Sequence, residues 1–475
     1  MSEEFYRMKR LPPYVIAETN AMRAAARQAG EDVIDLGMGN PDLPPPPHVI
    51  DKLCEVARKP DAHGYSASKG IPGLRRAQAN YYGRRFGVDL DPETEVIVTM
   101  GSKEGLASLA TAITEPGDVV LAPNPSYPIH TFGFIIAGAA IRSVPTTPDE
   151  RYFEALERAM AYTVPRPKVL VMNYPSNPTA ETVDLAFYER VVAFAKANDL
   201  WIISDLAYSE LYYDGKPTVS ILQVPGAKDV AIEFTSLSKT YSMAGWRIGF
   251  AVGNRKLIAA MARVKSYLDY GAYTPIQAAA VAALNGPQDI VDQNRALYHR
   301  RRDVLIDSFA RAGWDIPKPA ASMFAWAPVP PALAHLGSLE FSKQLLTHAK
   351  VAVAAGVGYG ENGEGFVRIA LVENEHRIRQ AARNIKTYLK LMGVNVPPGR
   401  DVPDSKVQRF GPARFSSVTA AGTWRSSPSR SATPWLTEAM VALVCQKGPP
   451  RPLSEKRIWT VSLICGIDAL VAFAS

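Results

Sequence analysis

The strongest constraint on the fold is a rhythm of short apolar runs set between longer helical ones. Glu95 to Thr99, Val119 to Ala122, Lys168 to Asn173, Trp201 to Ser204 and Ala231 to Thr235 each read as a strand. Lys103 to Thr114 and Ala186 to Ala197, lying between them, carry helical periodicity. A strand that is apolar on both faces must be covered on both faces, and strands separated by helices run parallel. The pattern therefore predicts an α/β domain whose mostly parallel mixed sheet is flanked by helices. Such sheets bind ligands beyond the C-terminal ends of their strands, which is where residues with chemistry should be sought.

On the N-terminal side, Met1 to Gly30 looks helical after Pro12-Pro13 and leads to a short strand, Asp32 to Leu36. That strand runs into Gly37-Met38-Gly39-Asn40-Pro41-Asp42 and a proline run, Pro44 to Pro47, both marks of an irregular connection. After Pro287 the pattern changes. A charged stretch, Gln293 to Ala312, predicts a helix that closes the large domain or joins it to a second one. Met323 to Ala327, Leu339 to Ala349, Val351 to Ala354, Val367 to Leu371 and Glu373 to Leu391 then read strand–helix–strand–strand–helix, as in a smaller α+β domain. The expected division is 1–45 as an N-terminal arm and part of the small domain, 46–290 as the large domain, 291–395 as the small one and 396–475 as an atypical tail.

The tail is rich in Ser, Pro, Arg and Ala, as in Arg425-Ser426-Ser427-Pro428-Ser429-Arg430-Ser431, and its composition predicts disorder over roughly 396–457. It also holds much of the charge. The chain carries +7, and from Asp401 onward nine basic residues against five acidic ones account for +4 of it. The remaining 400 residues carry only +3, so no nucleic-acid partner is expected. The last 18 residues, Ile458 to Ser475, are largely apolar but contain Ser462 and Asp468, which makes a membrane partner unexpected. Cys54, Cys445 and Cys465 share no motif spacing, and the seven histidines are scattered, so no metal site is expected. The charged start MSEEFYRMKR has no apolar core behind it, which points away from secretion and toward the cytoplasm.

Chemistry concentrates at the strand ends. In Thr235-Ser236-Leu237-Ser238-Lys239-Thr240, a lysine leaves a strand among hydroxyls, and Arg247 follows eight positions later. That lysine is suited to forming an imine with an aldehyde, and the hydroxyls and Arg247 to binding a phosphate. Taken alone, the run fits a surface lysine in a turn equally well. Upstream, Ser204-Asp205-Leu206-Ala207-Tyr208 ends a strand with a carboxylate that can pair with a protonated ring nitrogen. Its tyrosine can donate to a phenolate oxygen, and Asn177, in Asn173-Tyr174-Pro175-Ser176-Asn177, offers a second donor. Gly101-Ser102-Lys103-Glu104-Gly105 opens a helix whose N-terminus attracts phosphate. Tyr127, in Asn124-Pro125-Ser126-Tyr127-Pro128, offers a face for stacking. Together these residues describe a pocket for pyridoxal phosphate.

With these motifs in view, the sequence resembles the class I/II aminotransferases of fold type I, over about Leu11 to Met392. The resemblance also rests on Arg10 to Val15, Met38 to Asp42, His63-Gly64-Tyr65-Ser66, Gly70 to Arg76, Pro123 to His130, Leu237 to Gly249 and Lys265-Ser266-Tyr267-Leu268-Asp269-Tyr270-Gly271. Within that family it is most similar to bacterial glutamate–pyruvate (alanine) aminotransferases, and LL-diaminopimelate aminotransferases are similar too. The resemblance implies that Lys239 holds the cofactor as an imine and moves the substrate proton, and that Asp205 keeps the ring nitrogen protonated. It further implies that Tyr208 and Asn177 bind the phenolic oxygen, that Tyr127 stacks on the ring, and that Ser102, Lys103, Ser236, Ser238 and Arg247 surround the phosphate. Tyr65 would join the phosphate from the partner subunit of a homodimer with composite sites. Arg368, helped by the Gly39 backbone and Asn177, would grip the α-carboxylate, with Tyr14 and Lys103 near the substrate side chain.

Plainer readings stand beside these. Tyr14 and Tyr65 also fit packing aromatics, and Arg368 fits a structural ion-pair partner. Tyr241, Trp246, Tyr267 and Tyr270 read as packing residues, and Gly356-Val357-Gly358-Tyr359-Gly360 as a turn of the small domain. Many relatives carry a proline where this chain has Ala355, so a looser loop leading to Arg368 is expected. The activity implied is ping-pong transfer of an amino group between an amino acid and a 2-oxo acid, with L-alanine and 2-oxoglutarate as the expected pair. A PLP-dependent lyase would use the same residues. A regulator built on this fold would need an N-terminal helix-turn-helix domain, for which the 30 or so residues before the first predicted strand are too few.

Overall fold

The computed structural model describes residues 5, 8–12 and 15–394. Tyr14 and the tail 396–475 lie outside the described residues. Twelve strands occur among those described. They are β1 Ile34–Asp35, β2 Val96–Thr99, β3 Val119–Pro123, β4 Ala140–Val144, β5 Val169–Asn173, β6 Trp201–Asp205, β7 Ala231–Ser236, β8 Gly249–Gly253, β9 Phe324–Pro328, β10 Val351–Ala352, β11 Ala354–Ala355 and β12 Phe366–Ala370.

Seven of them form one sheet in the order β2-β8-β7-β6-β5-β3-β4. Only β8 runs antiparallel to its neighbours. Side chains in a strand alternate between faces, and here each face has its own core. Val169 and Val171 of β5 pack with Leu106, Leu109, Ile258 and Met261 from helices Ser102–Ile113 and Arg255–Leu268. Leu170 and Met172 face the other way, toward Tyr82, Leu156, Val191 and Ala280 from helices Pro72–Phe86, Glu150–Tyr162, Leu185–Ala197 and Thr274–Asn285. Double-sided burial explains why these strands read as unbroken apolar runs.

A further cluster gathers Ile34, Leu36, Phe309, Trp314, Phe341, Ile369 and Leu389 around a three-stranded sheet, β11-β12-β9. The long helix Asp289–Arg311 and the helix Glu375–Leu391 contribute to it. The N-terminal strand belongs here as well. β1 pairs in parallel with β10, and Ala370 N–H donates to the Leu36 carbonyl at 2.7 Å. This ladder fixes the irregular segment that follows Leu36 beside β12, which carries Arg368.

Two strands of the large sheet are additions to the sequence reading. β4, Ala-Ile-Arg-Ser-Val, is an edge strand with two exposed polar positions, so it gives no apolar run. β8 starts and ends on glycine and follows directly on the lysine motif. The stretch expected as one helix from Leu339 to Ala349 is an α-helix, Gly337–Gln344, that widens to a π-turn over Leu345–Ala349. Tyr267 and Tyr270, read as packing residues, are instead 85% and 62% exposed. Tyr241 is buried as expected, and its hydroxyl donates to Gln288 at 2.7 Å.

The loop before β12 is held in a way that does not need proline. Ala355 is buried and pairs with Val367, while Ala354 pairs with Arg368. Gly356 then packs so closely on its own loop that a Cβ would sit 2.0 Å from the Gly363 carbonyl oxygen. The ladder and this glycine contact restrain the loop that Ala355 was expected to loosen. Gly356–Tyr359 itself is the turn that was anticipated.

Candidate active site

The C-terminal ends of β2, β3, β5, β6 and β7 open into one cavity of about 240 Å³. Its other wall is formed by Gly37, Met38 and Gly39 and by Phe324, Tyr359 and Arg368. The structure brings together Ser102, Lys103, Tyr127, Asn177, Asp205, Tyr208, Ser236, Ser238, Lys239, Arg247, Arg368 and Gly39, all of them expected from the sequence. Tyr65 is not among them. It is 88% exposed and lies against Tyr270, ring centroids 4.5 Å apart.

Lys239 leaves a single helical turn, Leu237–Thr240, that is capped by Ser236, whose Oγ accepts from Ser238 N–H at 3.1 Å. The lysine amine donates to the Gly39 carbonyl at 2.6 Å. Burial, reinforced by the nearby positive charges of Arg368 and Arg247, pushes its pKa down to about 7. At neutral pH a large fraction is therefore the free base, the form that attacks a carbonyl carbon.

Asp205 ends β6. Its Oδ1 accepts from Ala207 N–H at 3.2 Å, and its Oδ2 lies 2.9 Å from Nε2 of the fully buried His130. His130 comes from the helix after β3, 75 positions away in sequence, and had no role in the sequence reading. Asn177 links two expected groups. Its Nδ2 donates to the Tyr208 hydroxyl at 3.4 Å, and its Oδ1 accepts from Arg368 Nη1 at 2.8 Å. Burial raises the Tyr208 phenol well above its ordinary pKa and outweighs the opposing charge of Arg368, so the group stays protonated and able to donate.

Arg368 is buried, with its guanidinium carbon 3.9 Å from the centre of the Phe324 ring and 4.9 Å from that of Tyr359. Its Nη2 donates to the carbonyl of Gly37, not of Gly39, at 2.9 Å, and its Nε has no partner. Among the described residues no carboxylate pairs with it, which does not favour the reading as a structural ion pair. Gly39 is needed for space, since a Cβ there would fall 2.6 Å from the Phe324 ring.

At the other end, Gly101 adopts φ +83 and supplies no side-chain cap to helix Ser102–Ile113. A Cβ on it would lie 2.3 Å from Arg247 Nη2. Ser102 Oγ donates to the Thr235 carbonyl at 3.1 Å, and Ser236 Oγ to Ser238 Oγ at 2.9 Å. The Lys103 amine sits 5.8 Å from the centre of the Tyr127 ring. Hydroxyls, two cations and uncapped helix N–H groups converge here.

Residues 31–385 match the family model for aminotransferase class I and II. The chain belongs to that family. This aminotransferase is 63% identical over 387 residues to AatC of Rhizobium meliloti (strain 1021), a protein named provisionally as an aminotransferase, with 82% of this chain and 96% of that one covered. It is 54% identical over 390 residues to the glutamate-pyruvate aminotransferase AlaC of Escherichia coli (strain K12), covering 82% and 95%. Among solved structures, substrate-bound BacF from Bacillus subtilis aligns at a TM-score of 0.78 with 35% identity, over 84% of this chain and all of that one.

The cofactor of this family is pyridoxal phosphate. The residues present fit it on their own chemistry. A desolvated amine faces the cavity, a carboxylate backed by a buried histidine ends β6, and a glycine keeps clear the space beside Arg247 at a helix N-terminus. Among the described residues no helix is long and apolar enough to cross a membrane, and no His/Cys/Asp/Glu group is suited to hold a metal ion.

Proposed function

We propose that this aminotransferase exchanges an amino group between L-alanine and 2-oxoglutarate, giving pyruvate and L-glutamate. The observation that carries the reading is Arg368, a buried guanidinium without a carboxylate partner among the described residues, facing the same cavity as the desolvated amine of Lys239. A small 2-amino acid satisfies both, its carboxylate on Arg368 and its Cα near Lys239. The choice of alanine leans on the relative named as a glutamate-pyruvate enzyme.

In this reading, bound pyridoxal phosphate supplies a ring that takes up the charge left when the Cα proton departs. Lys239 accepts and returns that proton. Asp205, held by His130, stabilises a positive charge on the ring nitrogen, and Tyr208 and Asn177 hold the phenolic oxygen. Tyr127 covers the ring face. Ser102, Lys103, Ser236, Ser238 and Arg247 take the phosphate. The large and small domains divide near 46 and 290, so the cavity lies where the two meet.

Tyr65, Tyr267, Leu268, Tyr270 and Tyr273 are each exposed, with the Tyr65 and Tyr270 rings 4.5 Å apart, and exposed aromatics of this kind mark a contact surface. A second copy of the chain covers it and brings Tyr65 to the neighbouring phosphate, as a homodimer with composite sites. Sedimentation should then give twice the chain mass, and Tyr270→Asp should shift it toward one; a monomeric wild-type protein overturns this part.

The substrate pair is tested by absorbance. L-Alanine added without an oxo acid should convert the cofactor band to that of pyridoxamine phosphate, and 2-oxoglutarate should restore it. Relatives named as LL-diaminopimelate aminotransferases, one 42% identical over 387 residues, favour a second reading. A band that ignores alanine and responds to LL-diaminopimelate selects it.

A further inference from the structure

The stretch Lys265-Ser266-Tyr267-Leu268-Asp269-Tyr270-Gly271 carries no role above beyond its exposed aromatics, yet its first residue sits deep in the molecule. Lys265 is 0% exposed. A buried ammonium must be paired, and Lys265 has two partners: Asp269 Oδ2 at 2.7 Å and Glu104 Oε1 at 3.1 Å. Asp269 also serves its own turn, its Oδ1 accepting from Gly271 N–H at 2.7 Å.

Glu104 stands in the first turn of helix Ser102–Ile113, three residues after Gly101. Its Oε2 reaches back to accept from Met100 N–H at 2.8 Å, and its Oε1 accepts from Ser108 Oγ at 2.6 Å. This reach-back satisfies a backbone donor at a helix start where Gly101 has no side chain to offer. It braces the turn that meets the phosphate.

The brace brings a conflict. A helix N-terminus favours one negative charge beside it, but Glu104 already places a carboxylate there and a phosphate adds more. Like charges at one helix start oppose each other when partly removed from water. Lys265 approaches Glu104 from the protein interior: the lysine side chain is fully buried, while that of Glu104 is 25% exposed. Shared with Asp269, its ammonium offsets one of the two carboxylate charges and leaves the hydrogen bond to Met100 in place.

We propose that Lys265 is a positioning residue for the phosphate turn: by offsetting negative charge at Glu104 it lets the turn be braced by a carboxylate and still hold a phosphate dianion. This rests on the reading that the phosphate lies at Gly101–Lys103 and Arg247.

The test titrates full-length protein, stripped of cofactor, with pyridoxal phosphate and separately with pyridoxal, which lacks the phosphate. Following fluorescence quenching, Lys265→Met should weaken pyridoxal phosphate about tenfold or more and pyridoxal by no more than about twofold, as expected for one added net negative charge. Removing that charge as well, in Glu104→Gln/Lys265→Met, should restore most of the lost affinity. Equal weakening of both ligands by Lys265→Met, or of neither, overturns the proposal. Arg247→Met separates the underlying reading: if it leaves the preference for the phosphorylated ligand intact, the phosphate lies elsewhere. Should Lys265→Met not fold, Glu104→Gln alone decides. It should keep the preference for pyridoxal phosphate, and its loss there overturns the charge account.

Discussion

In Lys239→Arg, transamination should fall by about 10⁴-fold, the upper range for losing a positioned proton-transfer group. The substitution is chosen because arginine retains the positive charge and can still donate to the Gly39 carbonyl, as Lys239 does at 2.6 Å. What arginine cannot do is lose its proton near neutral pH. Lys239 can, because burial and the charges of Arg368 and Arg247 bring its pKa down to about 7. The same feature sets a pH dependence. Only the free base attaches to the cofactor aldehyde, so the attachment rate to stripped protein should climb about tenfold per pH unit below the pKa and level off above it. A stopped-flow profile breaking near 7 agrees with the lowered value. A break near the ordinary value for lysine overturns the account of the site's electrostatics, and substantial activity in Lys239→Arg overturns the role of the residue.

Arg368→Leu should lower kcat/KM for the amino acid and for the 2-oxo acid alike, by about 10³-fold, the cost of removing one partner of a desolvated ion pair. Both substrates carry the carboxylate that Arg368 is proposed to grip, so a loss confined to one of them sinks the assignment. Lysine should not rescue the site. The guanidinium lies over the Phe324 and Tyr359 rings while its two terminal nitrogens reach Asn177 and the Gly37 carbonyl, a geometry a point charge cannot reproduce. A second readout is independent of turnover. Arg368 helps depress Lys239, so in Arg368→Leu the attachment profile should move to higher pH. Steady-state kinetics of both half-reactions, together with that profile, check the prediction.

The large sheet was legible wherever a strand is buried on both faces, because continuous apolar runs such as Val169–Asn173 leave few alternatives. β4 escaped because an edge strand can keep Arg142 and Ser143 in solvent. β8 escaped because its terminal glycines look like loop punctuation, although at Gly249 a Cβ would lie only 2.9 Å from the backbone nitrogen of Ser102. The site was legible to the same degree as the strands that carry it, since its polar residues follow strand ends. His130 was not, because nothing local marks a histidine whose partner lies 75 residues away. Phe324 and Tyr359 read as strand and turn residues, and only tertiary packing lays them against Arg368. Tyr267 and Tyr270 were misplaced for the reverse reason: large aromatic residues read as packing groups, and only the fold shows that the last turn of helix Arg255–Leu268 and the residues just past it stand exposed.

The pairing of Arg368 with the Gly37 carbonyl spans 331 positions, and that separation bears on how the protein is made. Every group proposed to hold the phosphate within one chain has emerged once Arg247 is synthesised, whereas the carboxylate grip waits for β12. At roughly 5–20 residues per second, the stretch between Arg247 and Arg368 takes about 6 to 24 s to translate. During that interval a nascent chain holds its cofactor-side groups but has no arginine with which to select a substrate. The carboxylate grip therefore cannot form before β12 is made, and the segment made first, Gly37 to Gly39, is among the last to find its partner.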